Sequence, residues 1–147
     1  MKLVMTLLVR DEADILDAQI AFHLNAGVDF VIATDNASRD GTTEILESYA
    51  RDGYLHLIRE EGEDMRQGER VTRMARLAAT DFDADWVINS DADEFWCSHG
   101  APINDPTSFY RPVVKVAHRA DPHVVVGRGN HALVGSSFVP LTTWHPI

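Results

Sequence analysis

"WVINSDADEF", residues 86–95, is the stretch on which the reading of this chain turns. An apolar run stops abruptly in Asp91, Asp93 and Glu94 and resumes with Phe95. Near-continuous apolar runs of this length are what strands covered on both faces look like. Aspartates at i and i+2 at the end of a strand project to the same side. At ~4 Å and an effective dielectric of about 20, two such charges repel by roughly 4 kcal/mol, so the pair requires donors, a shared proton or a cation. A hard divalent ion prefers oxygen ligands and would relieve the repulsion. The alternative is structural: Asp91 and Glu94 cap a turn and Asp93 is solvated. For an arbitrary D-x-D the structural reading wins; after a buried strand in an α/β chain, ligand binding is favoured.

The α/β context comes from upstream. "LVMTLLV" (3–9) is a near-continuous apolar run and reads as a first strand rather than a secretory leader, because acids follow at once and no small-residue cleavage site does. Asp11 is placed to cap a helix with Leu16, Ile20 and Leu24 at helical spacing, Ile15 and Phe22 beside them, and Gly27 as its stop. The unit then repeats. "FVIAT" (30–34) predicts a strand, "DNASRDG" a loop, Thr42 to Asp52 a helix ending at Gly53, and "YLHLI" (54–58) a third strand. A helix is predicted over Glu69 to Thr80, with Val71, Met74, Ala75 and Ala78 on one face, before "DWVIN" supplies the fourth strand. Strands alternating with helices imply right-handed crossovers, a mostly parallel sheet and helices on both faces. Ligands of such sheets bind at the carboxyl ends of strands, which places "VRDE", "TDNASRD" and "SDADEF" along one edge. Beyond Phe95, residues 97–112 read as loop, and "VVKVAH", "HVVVG" and "HALVG" as short strands, giving a β-rich C-terminal part.

Bulk properties narrow the class. With 147 residues the chain is expected to be one domain, and 45% hydrophobic with 24% charged residues is ordinary for a globular protein. No apolar run approaches the ~20 residues of a membrane span. A net charge of −10 argues against nucleic acid, whose phosphates need a basic face. The single Cys97 rules out an intramolecular disulfide and suits the cytoplasm.

Other constellations admit two readings each. Asp35, at the end of its predicted strand, can accept from a ribose or base, and Ser38, Asp40 and Gly41 can hold the loop or cap the next helix. In "VRDEAD" (9–14), backbone amides and Arg10 can meet a ligand, or the acids can complement a helix N-terminus. Arg66, Arg70 and Arg73 share a helical flank, as diphosphate partners or as a solvated face. His131 is the histidine singled out as a late metal ligand, against simple packing. "GRGNHA" lacks the last glycine and the helix of a dinucleotide fingerprint, and there is no P-loop.

Taken in order, "LLVRDEADILDAQIAFHLNAGVDFVIATDNASRDGTTEIL" and "ADWVINSDADEFW" resemble the family 2 glycosyltransferases, specifically a bacterial branch with "DNxSxDGT" and "DWvxxxDADEF" motifs. The resemblance covers Met1 to about Trp96, with a fainter echo in "RPVVKVAH…GNHAL". It implies a GT-A fold, a nucleotide-diphospho-sugar donor, Mn²⁺ or Mg²⁺, inversion at the anomeric carbon, and an acceptor that is a glycan, lipid or protein. Carried over, residues 1–96 form the nucleotide-sugar half and 97–147 a reduced acceptor half. Val9 to Glu12 and Asp35 would meet the nucleoside, Arg66 or Arg70 the diphosphate, Asp91 the ribose or metal, and Asp93 the metal. The metal would act as a Lewis acid on the leaving diphosphate. An inverting transfer needs a general base, for which Asp105 and Asp121 are the downstream aspartates left. A partial domain that binds metal and nucleotide without catalysis is the second reading. A haloacid-dehalogenase-type phosphatase ranks last, since its D-x-D belongs on an early strand.

Overall fold

The structure is a computed structural model that describes residues 2–60, 67–97, 102–104, 114–117, 131–134 and 137–140, with side chains for residues 2–60, 67–96 and 102–104. Three βα units come first: β1 (Leu3–Val9), α1 (Leu16–Ala26), β2 (Phe30–Asn36), α2 (Thr42–Arg51), β3 (Leu55–Glu60) and α3 (Gln67–Asp81), followed by β4 (Trp86–Ser90). The four strands form one parallel sheet in the order β3-β2-β1-β4. Short antiparallel pairs follow, β5 (Phe95–Cys97) with β6 (Val114–Ala117), and β7 (His131–Val134) with β8 (Ser137–Pro140).

Side-chain alternation on the central strand divides the core. Leu3, Met5, Leu7 and Val9 pack with Val31, Ala33, Leu16, Ile20 and Leu46 under α1 and α2. Val4 packs with Ile32, Met74 and Ala78 under α3. Both faces of β1 are thus covered, as its near-continuous apolar sequence predicts; the one polar residue, Thr6, is buried with its hydroxyl donating to Asn89 Oδ1 (3.0 Å). With two helices on one face and the third on the other, the chain winds from β1 outward to β3, then crosses back to place β4 on the far side of β1. The order therefore reverses between β1 and β4, and the loops leaving these strands flank the switch point at which sheets of this kind bind ligands.

Several sequence expectations are corrected. Asp11 does not cap α1: it adopts φ 54°, and the helix begins only at Leu16 after a turn in which the Ile15 and Leu16 amides donate to the Glu12 carbonyl. β2 runs two residues further than the apolar run, through Asp35 and Asn36, both buried because partners from other elements reach them. Nor is β4 a fully covered strand. Among the described residues it pairs only with β1, leaving Trp86 51% exposed. Residues 123–127, expected as a strand, lie outside the described residues, while β8 is a strand that the sequence reading does not contain.

After β4 the chain is fixed to α1. Phe95 is buried, with its ring against Phe22 (5.3 Å) and His23 (6.0 Å). The Trp96 amide donates to His23 Nε2 (3.0 Å), which leaves the imidazole proton on Nδ1, 2.8 Å from the Gln19 carbonyl oxygen. Further on, the Ile103 amide donates to the Ala26 carbonyl (2.8 Å), and this segment sits so close to Gly27 that a Cβ there would lie 2.9 Å from Pro102 and Asn104. Gly27 is also at φ 112°, a conformation glycine adopts without strain.

His23 has no exposed surface, and burial pushes its pKa from 6.5 down to about 4, outweighing the Gln19 carbonyl and the Glu94 charge, which act the other way. Between these values the unfolded chain binds a proton that the folded chain refuses, so stability is full above pH 6.5 and falls as the pH drops toward 4, by about 3 kcal/mol. Urea unfolding across this range should show that loss in the wild type and a much flatter profile in His23→Gln; parallel profiles would contradict the assignment.

Candidate functional site

Residues 11–13 leave β1 ahead of α1, with Asp11 exposed and Glu12 and Ala13 half-buried, and no helix bond serves their amides. The loop after β2 and the first residue of α2 supply partners to all three. The Asp11 amide donates to Ser38 Oγ (3.0 Å), the Glu12 amide to Thr42 Oγ1 (2.8 Å) and the Ala13 amide to Asp40 Oδ2 (3.0 Å). Asp11 reciprocates, its carboxylate accepting from the Arg39 amide (2.7 Å). Asp40 also accepts from the Thr42 amide (3.0 Å) and hydroxyl (2.7 Å), which lets that hydroxyl receive from Glu12 while donating to Asp40. The Thr42 hydroxyl first, then the Ala13 amide, hold the Asp40 carboxyl below the usual carboxylate range. "SRDGT" is thus a clasp between two loops of the carboxyl edge.

The clasp tolerates strain. Ala37 sits at φ 57° without the local side-chain bonding that eases this conformation for Asp or Asn, a cost of roughly 1–2 kcal/mol. Gly41 takes φ 104° at the start of α2. Backbone outliers concentrated in two joined loops mark a place where the surroundings dictate the conformation.

Across the switch point, Asp91 to Glu94 form a closed turn. The Glu94 amide donates to the Asp91 carbonyl (3.1 Å), and the Asp91 amide donates back to Glu94 Oε2 (3.2 Å). Glu94 therefore locks the turn, as in the structural reading of the motif. Ala92 points into the core, Asp93 is half-buried and Asp91 is exposed.

This edge, with its two loops and acidic turn, can be set beside known proteins. Residues 12–129 match the family described as Glycosyl transferase family 2. The chain belongs to this family. Among solved structures, S. aureus TarS 1–349 in complex with UDP is similar over 74% of this chain and 32% of that one, at 18% identity and a TM-score of 0.51. A further S. aureus TarS structure matches over 66% of this chain and 17% of its own, at 19% identity and a TM-score of 0.52. These likenesses show a shared GT-A-type fold. The family 2 chain spans about a third or less of the TarS chains it matches. No curated protein is similar enough to count as a match. Family 2 membership sets aside the phosphatase reading, and the acidic motif follows the fourth strand rather than the first.

The expected family 2 site residues fall into groups. Val9 ends β1, buried and in register with Asp35. Arg10 is exposed beside Asp11, 3.9 Å away. Glu12 is half-buried, its amide in the clasp. Asp35 is only 4% exposed, and its carboxylate accepts from the Ser38 amide and the Thr43 hydroxyl. The arginine flank divides: Arg70 is buried and donates to Asn36 Oδ1 (2.8 Å), whereas Arg73 is exposed and bonds Glu60, holding that carboxyl below its usual range. Arg66, Asp105 and Asp121 lie outside the described residues, as does the side chain of His131, which opens β7.

Gln19, His23, Asn36 and Thr42 escape the sequence reading although each fixes part of this edge. A usable signal exists for two of them: Gln19 and His23, at i and i+4, fall on the inward side of α1 among its apolar positions.

Thr42 has no exposed surface; its hydroxyl accepts from the Glu12 amide across the clasp and donates to Asp40 on its own side. Thr42→Val should leave the Glu12 amide unsatisfied and cost about 1–3 kcal/mol, while Thr72→Val, on the exposed side of α3, should stay within about 0.5 kcal/mol. Equal losses in chemical denaturation would contradict the clasp.

Proposed function

We propose that the edge between β1 and β4 binds the nucleoside diphosphate of a sugar nucleotide, and that the protein transfers the sugar to an acceptor hydroxyl with inversion. One observation carries the reading: a family 2 chain in which the acidic turn closes the topological switch point opposite the clasped loop. The likeness to a TarS structure in complex with UDP makes UDP the first donor nucleotide to test.

Asp91 and Asp93 would hold Mn²⁺ or Mg²⁺. Their carboxylate oxygens suit a hard cation, and exposed Asp91 leaves the turn accessible. Among the described residues no group of three His, Cys, Asp or Glu is gathered for a metal, so the two carboxylates would need substrate phosphates and water to complete the shell of such a cation. When bound, it would supply Lewis-acid stabilisation of the leaving diphosphate.

The chain's own residues bind and orient. The clasp would present the 10–13 backbone to the nucleoside, and Arg70, already fixed by Asn36, would bring positive charge toward the diphosphate. Asp105 and Asp121 stand as candidates for the base that takes the acceptor proton. The cytoplasm, which suits a single cysteine, is the compartment this reading assumes.

Calorimetry with UDP in the presence and absence of Mn²⁺ tests the proposal. Wild type should bind more tightly with Mn²⁺, and Asp93→Ala should lose that gain, by at least the roughly 10–100-fold that removing even an outer-shell metal partner costs. UDP affinity indifferent to both Mn²⁺ and Asp93 would refute it.

A further inference from the structure

The face that α1 turns toward the acidic turn is polar, although a helix packed on a sheet has every reason to bury apolar groups there. Gln19 and His23 are both fully buried on it. The Gln19 side-chain amide nitrogen is centred among Ser90 Oγ (3.4 Å), the Asp91 carbonyl (3.5 Å) and the Glu94 carbonyl (3.5 Å). These contacts are long for any single strong bond, but together they aim the amide at both ends of the Asp91–Glu94 turn. His23 takes the amide of Trp96, two residues after the turn. The Trp96 indole N–H then donates to Ser90 Oγ (3.1 Å), and that hydroxyl to the Asp91 carbonyl (3.1 Å).

A loop of bonds therefore runs from α1 to Trp96, to Ser90, to Asp91 and back to α1. Buried polar groups cost stability unless paired, and Gln19 Oε1 has no hydrogen-bond partner among the described residues. A leucine would fill the space without that cost. What the polar pair contributes is a fixed backbone for a turn that projects Asp91 and Asp93.

We infer that Gln19 and His23 are positioning residues that set the geometry of Asp91 and Asp93 for the cation and diphosphate. The inference rests on the donor-binding reading above. Neither side chain touches the ligand; both act through the turn, in the way that outer-shell partners orient metal ligands.

The test is calorimetry of UDP with and without Mn²⁺ on the full chain, together with hydrogen exchange of the Glu94 and Trp96 amides. In Gln19→Leu and His23→Leu the Mn²⁺-dependent gain in UDP affinity should fall by about tenfold, metal-free UDP binding should stay within about twofold, and both amides should exchange faster. His23→Gln, which can place an acceptor near the position of Nε2, should retain the gain, and stands in for the leucine variant's comparison if that variant does not fold. Ile20→Val, a conservative change in the apolar core of the same helix, should leave the gain intact. A wild-type gain that survives both leucine substitutions, or is lost equally in Ile20→Val, overturns this inference alone. No Mn²⁺ gain in the wild type overturns the donor reading, and this inference with it.

Discussion

Three consecutive amides, those of Asp11, Glu12 and Ala13, have no helix to serve them, and the rest of the carboxyl edge is arranged around that constraint. They are satisfied by Ser38 and Asp40 of the loop after β2 and by Thr42 at the start of α2, each at 2.8–3.0 Å. This delays the start of α1 to Leu16, holds Ala37 in a conformation it would otherwise avoid, and buries Asp35 behind its own loop. The outcome is a hydrogen-bonded wall on one side of the switch point, built from side chains whose bonds are to backbone.

The acids of this protein consequently do different work at the two ends of the sheet. At the amino-terminal edge, Asp29 accepts from the Leu3 amide and the Asn104 side chain, and Asp85 accepts from the Lys2 amide, fixing where strands begin. At the carboxyl edge, Asp40 and Asp11 close the clasp and Glu94 closes the acidic turn. The net charge of −10 is therefore a poor guide to how many carboxylates serve a ligand. Of the described carboxylates at this edge, Asp91 and Asp93 are the ones proposed to hold the cation, on a turn bonded to the polar side of α1.

Much of the architecture was legible in sequence because apolar periodicity reports directly on burial: β1 is recovered end to end, and α2 and α3 to within a residue or two. The periodicity fails where burial is secured by hydrogen bonds instead. Asp35 and Asn36 extend β2 because Thr43 and Arg70 reach them, and Gln19 and His23 are interior because Ser90 and Trp96 need partners. Those partners lie up to 73 positions away, which no local window can see. "WVINSDADEF" carried the position of the acidic turn correctly, but its strand proved half-exposed at a sheet edge among the described residues, and Glu94 proved to be a lock on the turn. Family resemblance supplied the chemistry that geometry alone leaves open between caps and ligands.

A cation and a nucleotide are proposed to meet at the carboxyl ends of β1 and β4. Manganese is paramagnetic, so nitrogen-resolved amide spectra of the protein with UDP and substoichiometric Mn²⁺ locate it directly. Selective broadening is expected for the amides of residues 10–13 and 91–94, with those of Leu3, Asp29 and Asp85 at the opposite edge remaining sharp. Broadening centred on the amino-terminal edge, or spread evenly over the exposed acids, would contradict it.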